Sequence, residues 1–261
     1  MRIWWQSFLD PAISADYIAR LAQELARIAT PGTEITVHGL TPPDRDFGRL
    51  SEFRCAILAV DNGLEAAAQG YDAVVLGHFQ DPGLMELKSA LPIPVVGAGE
   101  ASLHLASQIG RRIGLVTLDR AFEVWHLEQA ELYGLGARVI QCSGLNADPS
   151  DFAPAFAGDA AAKARMIAAF RTVAEPMVAR GADVIVPAGV LPGLLIGGEH
   201  GFRVAGAPVV NCAAAALMQA ETLVRMHRLY GLEPAGGAFC TRAPARAVAD
   251  FRALVAKGRT P

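Results

Sequence analysis

The chain has 261 residues, 52% hydrophobic and 19% charged, and its 23 basic and 26 acidic side chains leave a net charge of −3. That length and composition predict a globular protein with a well-buried core and exclude disorder. The small, scattered charge gives nucleic acid or an anionic membrane no electrostatic footprint, so neither is expected as a partner.

Met1–Asp10 lacks the apolar core and small-residue cleavage site of an export signal. The uncharged stretch Val184–Gly198 is too short to cross a bilayer and is broken by Pro187 and Pro192. Cys55, Cys142, Cys212 and Cys240 form no C-x-x-C pair. A cytoplasmic protein with buried free thiols is therefore predicted.

In chain order, a first strand is predicted over Arg2–Phe8. Tyr17, Ile18, Leu21, Leu25 and Ile28 then share one helical face, closed by Pro31-Gly32. Strands follow at Glu34–Gly39, Asp72–His78 and Pro94–Gly97, with a helix opening at Phe53-Arg54 and a Phe-Gln-Asp-Pro-Gly turn after His78. The next strands are predicted at Arg112–Thr117, Arg138–Cys142, Asp183–Pro187 and Pro208–Asn211, with Phe122, Trp125 and His126 on the helix after the first of them. These runs are short and apolar on both faces, as buried parallel strands are.

The two halves resemble each other. GYDAVVLGHFQDPGL at 70–84 matches GADVIVPAGVLPGLL at 181–195, an offset of 111 residues. Pro94-Val95-Val96 matches Pro208-Val209-Val210 at 114, and RIWWQS at 2–7 matches RIGLVT at 112–117 at 110. Three anchors in one order at nearly one spacing indicate a duplication. The predicted fold is α/β, with two pseudo-symmetric lobes, each a four-stranded parallel sheet flanked by helices. The first lobe spans 1–111 and the second 112–229. A tail over 230–261 carries a helix at about Pro244–Lys257, expected to pack back on a lobe.

Open parallel sheets bind ligands at the carboxyl ends of their strands. The candidate site residues are therefore Gln6, Ser7, His78, Phe79, Gln80, Glu100, Thr117, Gly189, Val190 and Asn211. The GHFQDPGL segment, IPVVGAGEASLHLA at 93–106 and GADVIVPAGVLPG at 181–193 resemble the aspartate/glutamate/hydantoin racemase superfamily, most closely its hydantoin racemase branch. The resemblance runs to about Arg228. It implies a cofactor-independent enzyme, an isomerase, that moves a proton beside a carbonyl or carboxylate of a small hydantoin-, amino-acid- or diacid-like substrate between two lobes. The superfamily's two catalytic cysteines fall, by their motifs, at His78 and Gly189, so both thiols are replaced.

An imidazole at position 78 is a competent acid or base near neutrality, whereas Gly189 brings no proton-bearing group. His126 is a second candidate acid or base. Backbone N–H groups at Phe79, Gln80, Gly189 and Val190 would stabilise an enolate-like intermediate, and Ser7, Thr117 and Asn211 would help hold the substrate. Glu100 either orients His78 or serves a helix dipole, and Asp81 is a turn residue and helix cap. Arg54 either pairs with a substrate carboxylate or is solvated, and His200 lies on a Gly-rich loop. GAGEAS at 97–102 mimics a dinucleotide-binding loop, but Ser102 stands where the third glycine belongs and the loop ends a lobe's fourth strand. The histidines have no metal-ligand spacing. The alternatives are a one-sided lyase, decarboxylating or eliminating on the same scaffold, and a non-catalytic small-molecule binding protein. A homo-oligomer is expected.

Overall fold

The first half folds as β1 (Arg2–Gln6), α1 (Ala15–Ile28), β2 (Glu34–His38), α2 (Arg49–Ala68), β3 (Ala73–Leu76), α3 (Leu84–Ala90), β4 (Val95–Gly97) and α4 (Ala98–Ile109). The second follows as β5 (Ile113–Thr117), α5 (Glu123–Leu132), β6 (Val139–Gly144), α6 (Pro149–Phe156), α7 (Ala160–Ala179), β7 (Val184–Ala188), α8 (Val190–Ile196), β8 (Arg203–Val204), β9 (Ala207–Pro208) and α9 (Cys212–Tyr230). Helix α10 (Ala245–Gly258) ends the chain as described. The structure, a computed structural model, describes residues 1–43 and 46–258.

The repeated Gly-x-Asp has the same physical cause in both halves. Gly70 (φ 75°) and Gly181 (φ 94°) turn the chain out of α2 and α7 in the left-handed region that glycine tolerates. Asp72 then accepts the backbone N–H of Arg2 at 2.7 Å, and Asp183 accepts that of Arg112 at 2.8 Å. Each aspartate thus ties its strand to the start of the neighbouring first strand. The Asp72 and Asp183 amides return bonds to the Arg2 and Arg112 carbonyls at 2.8 and 2.9 Å.

All pairings in the two main sheets are parallel, with orders β2-β1-β3-β4 and β6-β5-β7. The two halves therefore have the predicted α/β architecture, with one difference. The run Pro208–Asn211 does not form a full fourth strand in the second sheet; a single parallel bridge, Ile185 to Val209, marks its place. Ala205 and Gly206, both at positive φ, instead turn β8 and β9 into a short antiparallel hairpin.

Each face of the first sheet has its own core. Trp4, Val74 and Leu76 face α2 and α3. Ile3, Trp5 and Val75 face α1 and the second half, packing with Val190 and Leu194 of α8 and with Ala213, Ala216 and Leu217 of α9. The alanine-rich helices cross over: α9 packs on β3 and β4, and α4 on β7. The lobes consequently share one apolar seam, and the carboxyl ends of β1, β3, β5 and β7 converge above it. Helix α10 lies on α2, with Val248 and Phe251 against the first lobe's core and Arg252 paired to Asp61 and Glu65.

Candidate active site

Residues just past those four strands line one small cleft of about 60 Å³. The first lobe supplies Ser7, Phe8 and Leu9 after β1 and Gly77, His78 and Gln80 after β3. The second supplies Leu118 and Phe122 after β5 and Ala188 to Pro192 around the end of β7. Tyr17, Phe47 and Pro149 complete the wall. Pockets for drug-sized ligands begin near ~300 Å³, so the cleft suits a far smaller molecule. Five sequence candidates meet here: Ser7, His78, Gln80, Gly189 and Val190.

His78 is held on two sides. Its Nε2 lies 2.8 and 3.0 Å from the carboxylate oxygens of Glu52, in the first turn of α2. Its ring stacks on Phe8, with centroids 4.6 Å apart and planes 15° apart. The Glu52 side chain is 1% exposed and that of His78 is 21% exposed, so the carboxylate is buried behind an imidazole that reaches the cleft. Such a partner fixes a ring's orientation and stabilises its protonated form.

The loop after β3 is anchored from outside the cleft. Asp81, 6% exposed and at φ 51°, accepts the Gly99 and Glu100 amides at 2.9 and 2.7 Å, capping α4 rather than its own turn. Gln129 Nε2 and the Tyr133 hydroxyl also donate to it, at 3.1 and 2.7 Å. Burial pushes the Asp81 carboxyl up to about 7, against the hydrogen bonds from Tyr133, Gly99 and Glu100. The glycines of the GAGEAS run exist for this contact. A Cβ on Gly97 would meet the Asp81 carboxylate at 2.4 Å, and one on Gly99 the Phe79 carbonyl oxygen at 2.1 Å.

The remaining candidates lie outside the cleft lining. His126 is fully buried, with Nδ1 3.1 Å from Gln129 Oε1 and Nε2 3.1 Å from Thr117 Oγ1. Gln129 donates its amide to Phe79 and Asp81, so its oxygen accepts from Nδ1 and Thr117 donates to Nε2. Burial pushes His126 down to about 4. His126 and Thr117 thus complete each other in the core instead of facing a ligand, and Phe79 packs edge-on against the same imidazole.

Gln6 ties strand ends together, donating to the Ser7, His38 and Gly39 carbonyls. Asn211 caps α9 through the Ala214 amide and reaches Glu24. Glu100 does not reach His78; its carboxylate pairs with Lys88 at 2.6 Å. Arg54 is half-buried, does not line the cleft, and donates to the Pro42 and Pro43 carbonyls. His200 is exposed and is not part of the cleft. Among the described residues, no group of three or more His, Cys, Asp and Glu could hold a metal ion.

Sequence reasoning missed Glu52 and Tyr17. Glu52 had a signal: it shares the buried stripe of α2 with Cys55, Ala59, Gly63 and Ala66. A carboxylate on an apolar helical stripe needs a partner. Tyr17 was read only as one member of an apolar face, and its hydroxyl gave no periodic signal.

The family model for Asp/Glu/hydantoin racemase matches residues 8–220. A hydantoin racemase of Pseudomonas sp. (strain NS671) is 33% identical over 72 residues, 28% of this chain and 29% of that protein, so the alignment covers less than a third of the relative. The allantoin racemase of Pseudomonas fluorescens superposes with a TM-score of 0.74 at 26% identity, over 93% of this chain and 97% of that one. The allantoin racemase of Klebsiella pneumoniae gives a TM-score of 0.73 at 21% identity over 94% of each chain. With a family match over most of its length, the chain belongs to the Asp/Glu/hydantoin racemase family.

Proposed function

We propose that the protein is a racemase-superfamily enzyme that moves a proton beside a carbonyl of a small substrate, with His78 as the acid and base. The observation that carries this reading is the pairing of a cleft-lining imidazole with the buried Glu52 carboxylate at the end of β3. Hydantoins and allantoin, named in the relatives, carry a ring C–H beside an amide carbonyl, which gives a stabilised enolate once the proton is gone. A small cleft with neutral hydrogen-bond donors fits such a ring, and amino acids or diacids are the other candidates. Gln80 and Val190 line the same space, and their backbone N–H groups would stabilise the oxyanion, whereas that of Gly189 already donates to the Pro187 carbonyl at 2.9 Å.

Gly189 offers no acid or base, so His78 both removes and returns the proton from its own side. That favours one-sided chemistry: exchange with retention, isomerisation, or protonation after decarboxylation. The test is NMR of the α-hydrogen of hydantoins, amino acids and malonate-like diacids in heavy water. Wild type is expected to incorporate deuterium into at least one class, or to form product, and His78→Ala to lose at least 10²-fold of that rate. Exchange at an equal rate in His78→Ala would refute the role, and the product's handedness reads out whether one face or two are used.

A further inference from the structure

A cleft of about 60 Å³ is too small for a ring and a bulky substituent together, so such a substituent must leave through one of its walls. Leu9, Tyr17, Pro149 and Leu191 form one wall, and the same four residues line a second, larger space of about 450 Å³. A cavity beside Asp81 and Tyr133 shares Gln80 alone with the cleft.

The larger space is a groove between the two halves. The chain from Leu9 into α1 forms one side, with Ala12 and Ile13, and α6 forms the other, with Ala153 and Phe156. Tyr17 packs edge-on against Phe156, centroids 5.5 Å apart, and ties the two sides together. The groove is apolar where it could hold a ligand: Ile13 is 74% exposed, and Leu9, Phe156 and Leu191 are only partly buried. Its charged lining groups are the carboxylates of Asp16, in the first turn of α1, and Asp148, which caps α6. Among the described residues, no lysine or arginine joins them on the lining.

We propose that this groove is the subsite for the substituent on the reacting carbon, and that it selects a bulky apolar substituent over one ending in a carboxylate. The proposal rests on His78 acting as the base in the adjoining cleft. An apolar group laid in the groove sheds water from its own surface and from Ile13, Phe156 and Leu191. A carboxylate there gives up hydration without a cation to receive it and meets two like charges. Tyr17 and Leu191, which belong to both spaces, stand where ring and substituent join. Ala12 and Ala153, with single methyl groups, leave the outer groove open and set its width. Hydantoins or amino acids with large apolar side chains are thus favoured over diacids.

The test follows exchange of the C5 hydrogen in heavy water for hydantoins carrying methyl, isobutyl, benzyl or 2-carboxyethyl groups. The full chain is used, and each rate is divided by that of the free hydantoin in the same buffer. Isobutyl and benzyl are expected to exceed both methyl and carboxyethyl in kcat/KM by about tenfold or more, as added methylenes do in an apolar pocket. Ala153→Phe and Ala12→Phe, both at exposed positions, fill the groove. They are expected to lower the benzyl-to-methyl ratio about fivefold or more, with the melting temperature unchanged. Methyl exchanging as fast as isobutyl and benzyl overturns the subsite, as does a benzyl-to-methyl ratio within about twofold of wild type in both variants. Carboxyethyl exchanging as fast as isobutyl overturns its selectivity. Should wild type exchange none of the four, or His78→Ala exchange them equally fast, the reading of His78 falls and takes the subsite with it. Exchange that is lost in His78→Ala but shows no preference for bulk removes the subsite alone.

Discussion

At the scale of single residues, the role proposed for His78 depends on its pairing with Glu52. Glu52→Gln keeps the shape and one hydrogen-bonding oxygen but removes the charge that would stabilise an imidazolium. Under the proposed mechanism the variant should fold normally and lose at least tenfold in the rate of proton exchange, with KM changed less than kcat. Unchanged exchange alongside an unchanged melting curve would make Glu52 a structural partner only. His78 was legible in the sequence because the repeat aligns it with Gly189 and because it directly follows a buried strand. Its partner was not, since 26 residues separate the two and only the packing of α2 on the first sheet brings them together. Glu100, for which the sequence offered either a helix-dipole role or the orienting of His78, sits in the first turn of α4 with its carboxylate on Lys88.

At the scale of elements, the turn after β3 and the start of α4 are one unit. The close approach of Phe79 and Asp81 to Gly97 and Gly99 leaves no room for a side chain. Gly99→Ala should therefore cost about 2–3 kcal/mol in urea denaturation, since the Phe79 backbone cannot yield as a flexible side chain would. Any activity of the fold should fall along with it, because the same backbone carries His78; a stable, fully active variant would show the contact to be dispensable. The sequence displayed these glycines but not their purpose. Spacing alone cannot distinguish glycines that cradle a phosphate from glycines that admit a neighbouring loop, because both meet the same need for a missing Cβ. Seven of the eight predicted strands appear with ends shifted by a residue or two. The eighth yields to the Ala205-Gly206 turn, which draws Ala207 and Pro208 into a hairpin.

At the scale of the whole molecule, a buried polar chain staples the two halves beside the cleft. It runs from Thr117 on β5 through His126 and Gln129 to Asp81 and the capped end of α4. Its two titratable members respond to pH in opposite directions. The folded protein binds the Asp81 proton more tightly than the unfolded chain does, since burial lifts it from 3.8 to about 7. The stability this gives is complete in acid and is lost as pH rises toward 7. His126, pushed down by burial from 6.5 to about 4, resists protonation in the folded state. Its contribution is complete above 6.5 and is lost as pH falls toward 4. Between these limits each group alone would tilt stability by about 1.4 kcal/mol per pH unit, in opposite senses, so the pair nearly cancels. Removing one should expose the other. Relative to wild type, Asp81→Asn should gain about 2–3 kcal/mol of stability as pH rises from 4.5 to 6.5, and His126→Gln should lose a similar amount over the same range. Urea denaturation at several pH values measures both. Two variants whose stability runs parallel to wild type across that range would mean that neither group titrates as a buried member of the staple.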